Sequence, residues 1–367
     1  MTSVATGLAA VTDCAGGFRI ERIEVDPPGP GEVRVRMTAA GVCHTDHASL
    51  GWPGPLVMGH EGAGTVELVG EGVTSVAPGD PVLLNWAIPC GQCPQCQCGA
   101  QALCDRTLET NPQRYGTSRA HSGATRLAGR PIERSFNLGT FAEVTVVCSE
   151  ALTKLPAQLP AQHACILGCA VMTGIGSAIN IAAVQPGDTV AVVGCGGVGL
   201  NVIQGARLAG AGTIIAIDRR RPPLDRASRF GATELLVAEG DDDLVETVLE
   251  LTDRRGVDHA FEATGSASLA FLPLRLARNG GNAVQVSGAH GEAAVELTRF
   301  FWNKRYLTPL YGGCVPERDF PRLFAWAQSG AIELAALIGK EYPLQDLGKA
   351  FDDMLSGRSA KGVLQIA

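Results

Sequence analysis

Along the first 150 residues, short apolar runs alternate with glycine and proline punctuation. Val33–Met37, Gly64–Val69, Pro81–Asn85 and Phe141–Val147 read as strands, separated by breakers such as Pro27-Pro28-Gly29-Pro30-Gly31 and Ala77-Pro78-Gly79-Asp80. This pattern predicts a mostly β region with long loops. From about Cys165 the texture changes. Thr189–Val193 and Thr213–Ile217 are continuous apolar runs, each followed by a helix-length segment, Val198–Leu208 and Leu224–Phe230. Strand and helix in alternation predict a parallel sheet. Ala260–Glu262 and Ala283–Val286 continue the strands with Leu269–Arg278 as the helix between them, followed by an amphipathic helix Phe320–Gln328 and a short strand Gly362–Ile366. The expected class is therefore α/β, with a β-rich part preceding a doubly wound part.

At 367 residues, a length of about 150 residues per domain suggests two domains. Hydrophobic residues at 46% and charged residues at 18% are those of a folded globular chain rather than a disordered or fibrous one. The net charge of −7 lacks the basic excess of a protein that binds phosphate backbones, so no nucleic acid partner is expected. No membrane association is expected either: the longest apolar candidate, Val190–Ile217, is interrupted by Asn201, Gln204 and Arg207. The first basic side chain is Arg19, with no charged segment leading an apolar run, so a cytoplasmic location is expected. Thiols stay reduced there, and twelve cysteines read as metal ligands and buried small residues rather than as disulfides.

Three groups of residues carry chemistry. Gly194, Gly196 and Gly199, with Gly197 and Val198 between them, form Gly-x-Gly-x-x-Gly between an apolar strand and a helix. The first glycine permits the tight turn, the second lets the backbone approach a pyrophosphate, and the third allows close helix–strand packing. Asp218, at the end of the next apolar run, can accept hydrogen bonds from ribose hydroxyls and would repel a 2′-phosphate, favouring NAD over NADP. Arg219, Arg220 and Arg221 read as a solvated basic turn, with Arg219 on the adenine side; a glycine turn with a capping aspartate is the plainer alternative. Second, Cys90, Cys93, Cys96, Cys98 and Cys104 place five thiols within fifteen residues. Four of them, Cys90, Cys93, Cys96 and Cys104, would close a structural Zn2+ and leave Cys98 over. Spacing alone leaves an iron–sulfur cluster open. Third, Cys43, His60 and Cys169 could supply the three protein ligands of a catalytic zinc. An isolated His or Cys is more often a packed core residue, so separation along the chain does not by itself identify that site.

Gly-Val-Cys-His-Thr-Asp (41–46), Gly-His-Glu-Gly-Ala-Gly (59–64), the cysteine lobe, Gly-Cys-Ala-Val-Met-Thr-Gly (168–174) and Gly-Cys-Gly-Gly-Val-Gly-Leu (194–200) together resemble the zinc-dependent medium-chain alcohol dehydrogenases. Weaker matches at Phe261-Glu262, Tyr311-Gly312-Gly313 and the C-terminus extend the likeness over essentially the whole chain. The resemblance implies a GroES-like catalytic domain of residues 1–170 and 310–367 with two zinc sites, a Rossmann domain of residues 171–309, NAD as cofactor, and a homodimer or homotetramer. It implies that Cys43, His60 and Cys169 hold the catalytic zinc and that Glu61 lies behind the metal and approaches it during ligand exchange. Asp46 would hydrogen-bond the second nitrogen of His60, and Thr45 would hold its hydroxyl against the reacting oxygen. His44 and Lys361 would contact the pyrophosphate, and Thr173 the nicotinamide. The implied reaction moves a proton outward through Thr45 and a hydride from a small-molecule alcohol to NAD, with aldehyde reduction as the reverse.

The chain also departs from that pattern. Only sixteen residues separate Cys43 from His60, and the loop Ser49–Pro55 is short, which predicts a reshaped substrate entrance. Ala48 occupies the position of a relay histidine, with His47 one residue earlier, leaving the end of the proton path open. Leu108 stands where relatives that oxidise a glutathione adduct of formaldehyde carry arginine, although Asp105–Asn137 is rich in arginine. Trp86 and Leu103 align with pocket-lining positions, and the bulk of Trp86 suggests aryl or allylic primary alcohols and aldehydes. The alternatives are a thiol-adduct formaldehyde dehydrogenase and a polyol or secondary-alcohol dehydrogenase. A non-enzymatic redox-sensing zinc protein would need a damaged ligand set, which this sequence does not have.

Overall fold

The computed structural model describes residues 3–105, 125–238 and 240–366. Its chain forms two compact units, Met1–Cys169 with Val315–Ala367, and Ala170–Cys314.

The first unit is built from β1 (Ala5–Thr12), β2 (Phe18–Val25), β3 (Glu32–Val42), β4 (Leu56–Val57), β5 (Gly62–Val69) and β6 (Pro81–Leu84), followed by β7 (Thr125–Leu127), β8 (Arg130–Pro131), β9 (Glu133–Arg134), β10 (Val144–Cys148) and β11 (Leu152–Lys154). One sheet runs β8-β7-β2-β1-β4-β9. β3 anchors the other sheet. Its apolar residues Val33, Val35 and Met37 are fully buried with Val82, Leu84 and Leu138. Arg34, also buried, is neutralised by Glu67 at 2.8 Å, as an ionised side chain within a sheet must be.

The chain then enters the second unit through β12 (Thr189–Val193), β13 (Thr213–Asp218), β14 (Glu234–Val237), β15 (Val257–Glu262), β16 (Ala277–Gln285) and β17 (Arg305–Leu307). These are all parallel, in the order β14-β13-β12-β15-β16-β17. That is the doubly wound order in which the strand sequence reverses beside the first strand. The central strands β12 and β13 are buried along most of their length, which explains their apolar runs Val190–Val193 and Ile214–Ile217.

On returning to the first unit, the chain adds β18 (Lys340–Pro343) and β19 (Gly362–Gln365). β19 pairs antiparallel with β3 and parallel with β18, completing the sheet order β11-β6-β5-β3-β19-β18, with β10 also on β3.

Among the elements that differ from the sequence expectation, the helix expected at Leu224–Phe230 starts at Arg221, the last residue of the expected basic turn. The helix expected over Leu269–Arg278 covers only Leu272–Leu276, because at Ala277 the backbone turns extended and enters β16. There Arg278 pairs with Asp258 at 2.5 Å, and Gly281 packs against the backbone of β15, with room for no side chain. The helix expected from Phe320 begins at Pro316, where Asp319 accepts the Val315 N–H at 2.8 Å. Among the described residues no single helix is long and apolar enough to cross a membrane.

Candidate metal centres

A strand end, a short helix and a loop bring the first donor set together within the first unit. Cys43 follows β3 and opens the one-turn helix His44–Ala48. His60 and Glu61 immediately precede β5, and Cys169 is the last residue of the unit before the chain leaves it. One ligand atom from each of Cys43, His60, Glu61 and Cys169 lies within 4.8 Å of the others. Asp46 organises two of the four. Its Oδ1 is 2.7 Å from His60 Nδ1, and its Oδ2 accepts the Cys43 N–H at 2.9 Å. His60 Nε2 is thus left for a metal, in the arrangement by which a carboxylate fixes the tautomer of a ligating imidazole.

The four groups perturb one another strongly. The neighbouring Cys169 sulfur and then His60 hold the Cys43 thiol well below its ordinary pKa against the opposing effect of burial. Burial alone would lower His60, but Asp46 and then Cys43 outweigh it and raise the imidazole well above its usual value. Glu61 is fully buried and pushed up to about 7 by that burial, with Lys361 opposing the shift. Its Oε2 has no hydrogen-bond partner and lies against the α-carbon of Gly41, where a side chain would collide with it. Two sulfurs and an imidazole nitrogen, backed by a carboxylate oxygen without a partner, match a zinc site with an open position.

Lys361, expected at a pyrophosphate, is paired with Glu61. It is 5% exposed, and its Nζ lies 2.5 Å from Glu61 Oε1, across 300 residues of sequence. His44 is exposed, and Thr45 is partly exposed on the same one-turn helix. The His47 ring stands edge-on to Phe351 at 5.4 Å.

Aromatic rings cover one side of this centre. Phe136 sits 4.9 Å from the His60 ring, 5.4 Å from Trp86 and 5.8 Å from Trp52, measured between ring centroids. The short Ser49–Pro55 loop turns Trp52 inward to 7% exposure, while Leu103 is 41% exposed. Phe136 was not among the residues expected at the site. Its backbone is left-handed, with φ 53°, followed by Asn137 at 57°, and only the asparagine hints at that conformation. Of the arginines in 105–137, Arg126 pairs with Glu24 and Asp26, and buried Arg134 donates to Thr125. Leu108, Arg106, Arg114 and Arg119 lie outside the described residues.

The second donor set is Cys90, Cys93, Cys96 and Cys104, again within 4.8 Å of one another. Cys93 and Cys104 sulfurs are 3.9 Å apart, close to the spacing of about 3.8 Å that two thiolates take on a tetrahedral zinc with bonds of about 2.3 Å. The Cys90 sulfur accepts the N–H groups of Gln92 and Cys93, which hold its pKa at about 6. Cys98 faces away, exposed, against Gln95. The four-thiolate set therefore fits a closed structural zinc.

In the second unit, Gly194 takes φ +94° at the end of β12, and Gly196 precedes the helix Gly197–Leu208 with open space where a side chain would stand. Gly199 packs onto the Gly194 carbonyl. Together these leave helix N–H groups accessible to a phosphate. Asp218 ends β13, accepting the N–H groups of Cys195 at 3.0 Å and Arg220 at 3.1 Å. Arg219 is exposed, and Thr173 lies in the helix Ala170–Gly176.

Residues 29–157 match the family model described as the alcohol dehydrogenase GroES-like domain, and residues 197–329 the one described as zinc-binding dehydrogenase. The chain is 38% identical over 363 residues to S-(hydroxymethyl)glutathione dehydrogenase of Escherichia coli O139:H28 (strain E24377A / ETEC), covering 96% of this chain and 97% of that protein. Among solved structures, an alcohol dehydrogenase zinc-binding domain protein from Burkholderia ambifaria is similar with a TM-score of 0.91 and 32% identity, over the full length of both chains. Benzyl alcohol dehydrogenase from Acinetobacter calcoaceticus is similar with a TM-score of 0.91 and 29% identity, covering 99% of this chain and 100% of that one.

Proposed function

Because this chain belongs to the zinc-dependent medium-chain alcohol dehydrogenases, we propose that it interconverts aryl or allylic primary alcohols and their aldehydes with NAD as the hydride carrier. In this reading Cys43, His60 and Cys169 hold the catalytic zinc, Cys90, Cys93, Cys96 and Cys104 hold the structural one, and Asp218 with the Gly194–Gly199 turn holds NAD. When bound, zinc supplies Lewis acidity that brings an alcohol's pKa towards neutrality, and NAD supplies the hydride acceptor.

The chain's own residues provide order around that chemistry. Asp46 fixes the ring of His60 and the backbone of Cys43 with one carboxylate. Lys361 holds Glu61 by one oxygen and leaves the other free. The Thr45 hydroxyl takes the substrate proton and passes it outward. With Ala48 in the relay position and His47 packed on Phe351, the proton leaves by a solvent route rather than through a side chain at position 48.

The observation that carries the substrate class is Phe136 beside His60, backed by Trp52 and Trp86 on the Phe136 ring. A ring held in place beside the ligand set favours a flat substrate, an aromatic pair adding about 0.5–1.5 kcal/mol beyond area burial. A second reading, oxidation of a hydroxymethyl thiol adduct, is favoured by the 38% identity to S-(hydroxymethyl)glutathione dehydrogenase. The deciding experiment is NADH production from benzyl alcohol, cinnamyl alcohol, ethanol, a polyol and S-(hydroxymethyl)glutathione, in the parent and in Phe136→Ala. The proposal expects benzyl or cinnamyl alcohol to have the highest kcat/KM, falling at least tenfold in the variant while ethanol changes little. The highest kcat/KM for the thiol adduct would establish the second reading instead.

We place the protein in the cytosol as a homodimer or homotetramer. Leu297, Phe301 and Trp302, 74%, 56% and 72% exposed beside the edge strand β17, support the oligomer.

A further inference from the structure

The carboxylate of Glu262 is buried in the second unit without a cation. It is 0% exposed, no ion pair reaches it among the described residues, and every contact it makes is with a neutral donor. Its Oε1 accepts the N–H of Thr264 at 2.6 Å and of Gly265 at 3.2 Å, as well as the Thr264 hydroxyl. Its Oε2 accepts Gln285 Nε2 and the Ser287 hydroxyl, both at 2.6 Å. Five donors satisfy both oxygens of the buried carboxylate, while Gln285 Oε1 beside them has no hydrogen-bond partner, and these bonds to Glu262 hold its neighbours in one arrangement.

Its position gives that arrangement a use. Glu262 ends β15, in register with Val193 at the end of β12 and Gln285 at the end of β16. Ligands of open parallel sheets bind at these carboxyl ends, where the strand order reverses. The segment tied to Oε1, Ala263–Gly265, lies against the first fingerprint glycine: a β-carbon on Gly194 would come 2.7 Å from Thr264 Cγ2 and 3.0 Å from the Ala263 carbonyl carbon. The segment tied to Oε2 begins the loop after β16, and Ser287 Oγ closes the ring by accepting the Gly265 N–H at 2.8 Å. Asp218 lies on the other side of the turn, at the end of β13.

We propose that Glu262 is a positioning residue for the half of the dinucleotide that Asp218 does not hold: it locks the loops after β15 and β16 to each other and to the fingerprint turn. The inference rests on the reading of this unit as the NAD site. A dinucleotide anchored at Asp218 and at the turn after β12 has only the β15 and β16 side of the crevice left for its second half. Both loops on that side are tied to the one carboxylate.

The test is binding of NADH, read by its fluorescence, and of AMP, read by calorimetry, to the parent and to Glu262→Gln, with zinc content measured alongside. An amide presents donor hydrogens to one of the two groups of donors and must release it. The expected result is a 10- to 100-fold weaker NADH affinity with AMP affinity within twofold and two zinc retained. With substrate present, KM for NAD should rise by a similar factor and kcat by no more than threefold in either direction. Thr264→Val, which removes one hydroxyl contact and preserves shape, should move NADH affinity the same way by about threefold and serves if Glu262→Gln does not fold. Equal loss of AMP and NADH binding, or NADH affinity within twofold of the parent, would overturn the proposal. Failure of the parent to bind either nucleotide would instead overturn the NAD reading beneath it.

Discussion

Replacing Asp46 with asparagine should weaken the catalytic metal centre with almost no change in shape. The side chain is fully buried, and its two oxygens serve two ligands: Oδ1 lies 2.7 Å from His60 Nδ1, and Oδ2 accepts the Cys43 N–H at 2.9 Å. An amide has one acceptor oxygen, so Asp46→Asn must turn an NH2 group towards one of these donors. Facing His60, it forces the other tautomer and protonates the nitrogen a metal needs. Facing Cys43, it sets two donors against each other away from water. Either outcome loses a charge-assisted hydrogen bond; the first takes the ligand nitrogen from the metal and the second leaves buried donors unsatisfied, at a cost of about 1–3 kcal/mol. Partners of ligating histidines are worth about 10–100-fold in metal affinity, the same range. The assay is zinc retained at equilibrium against a graded chelator, counted per chain. The four-thiolate zinc acts as an internal reference, because Asp46 takes no part in the Cys90–Cys104 lobe. Catalytic-site affinity within twofold of the parent, or equal loss of both zinc ions, would refute the reasoning.

Two further outcomes follow from the geometry. Cys104→Ser replaces a fully buried sulfur of the lobe and should leave one zinc per chain by metal analysis, with residues 90–104 open to proteolysis, whereas Cys98→Ser, at an exposed thiol, should keep two. The Tyr342 hydroxyl and then Arg358 hold the Asp353 carboxyl at about 2. Its folded value lies below its unfolded one, so its contribution to stability is complete above pH 4 and is lost as the pH falls towards 2. Chemical denaturation between pH 5 and 2 should accordingly be less steep in pH for Asp353→Asn, and an unchanged profile would exclude the contact as an acid-labile one.

The two-part architecture was legible because its signals are local. Unbroken apolar runs such as Thr189–Val193 and Thr213–Ile217 mark strands covered on both faces. The helix expected at Leu269–Arg278 failed because its apolar residues suit a helix and a buried strand alike, and the extended turn at Ala277 leaves no periodic trace. Residues 43, 60 and 169 are too far apart for spacing to connect them, so only the family likeness singled them out. Lys361 was legible through the family likeness as a basic position but not as the partner of Glu61, since nothing in a linear pattern says that β19 returns to β3. Phe136 was hidden for a different reason. Its role depends on a left-handed backbone in a residue type that seldom adopts one, and no motif announces that.

The ion pair between Lys361 and Glu61 has a consequence for how the chain is made. Glu61 leaves the ribosome three hundred residues before its counter-charge, and β3 waits as long for β19. A folding nascent first unit would have to bury Glu61 protonated or leave it in water, and its sheet would keep an unpaired flank beside Ala39–Val42. Contacts of such sequence separation form late and slowly. The first unit therefore reaches its final form only after the entire second unit has been synthesised, when the segment carrying β19 and Lys361 emerges to close the sheet and neutralise Glu61.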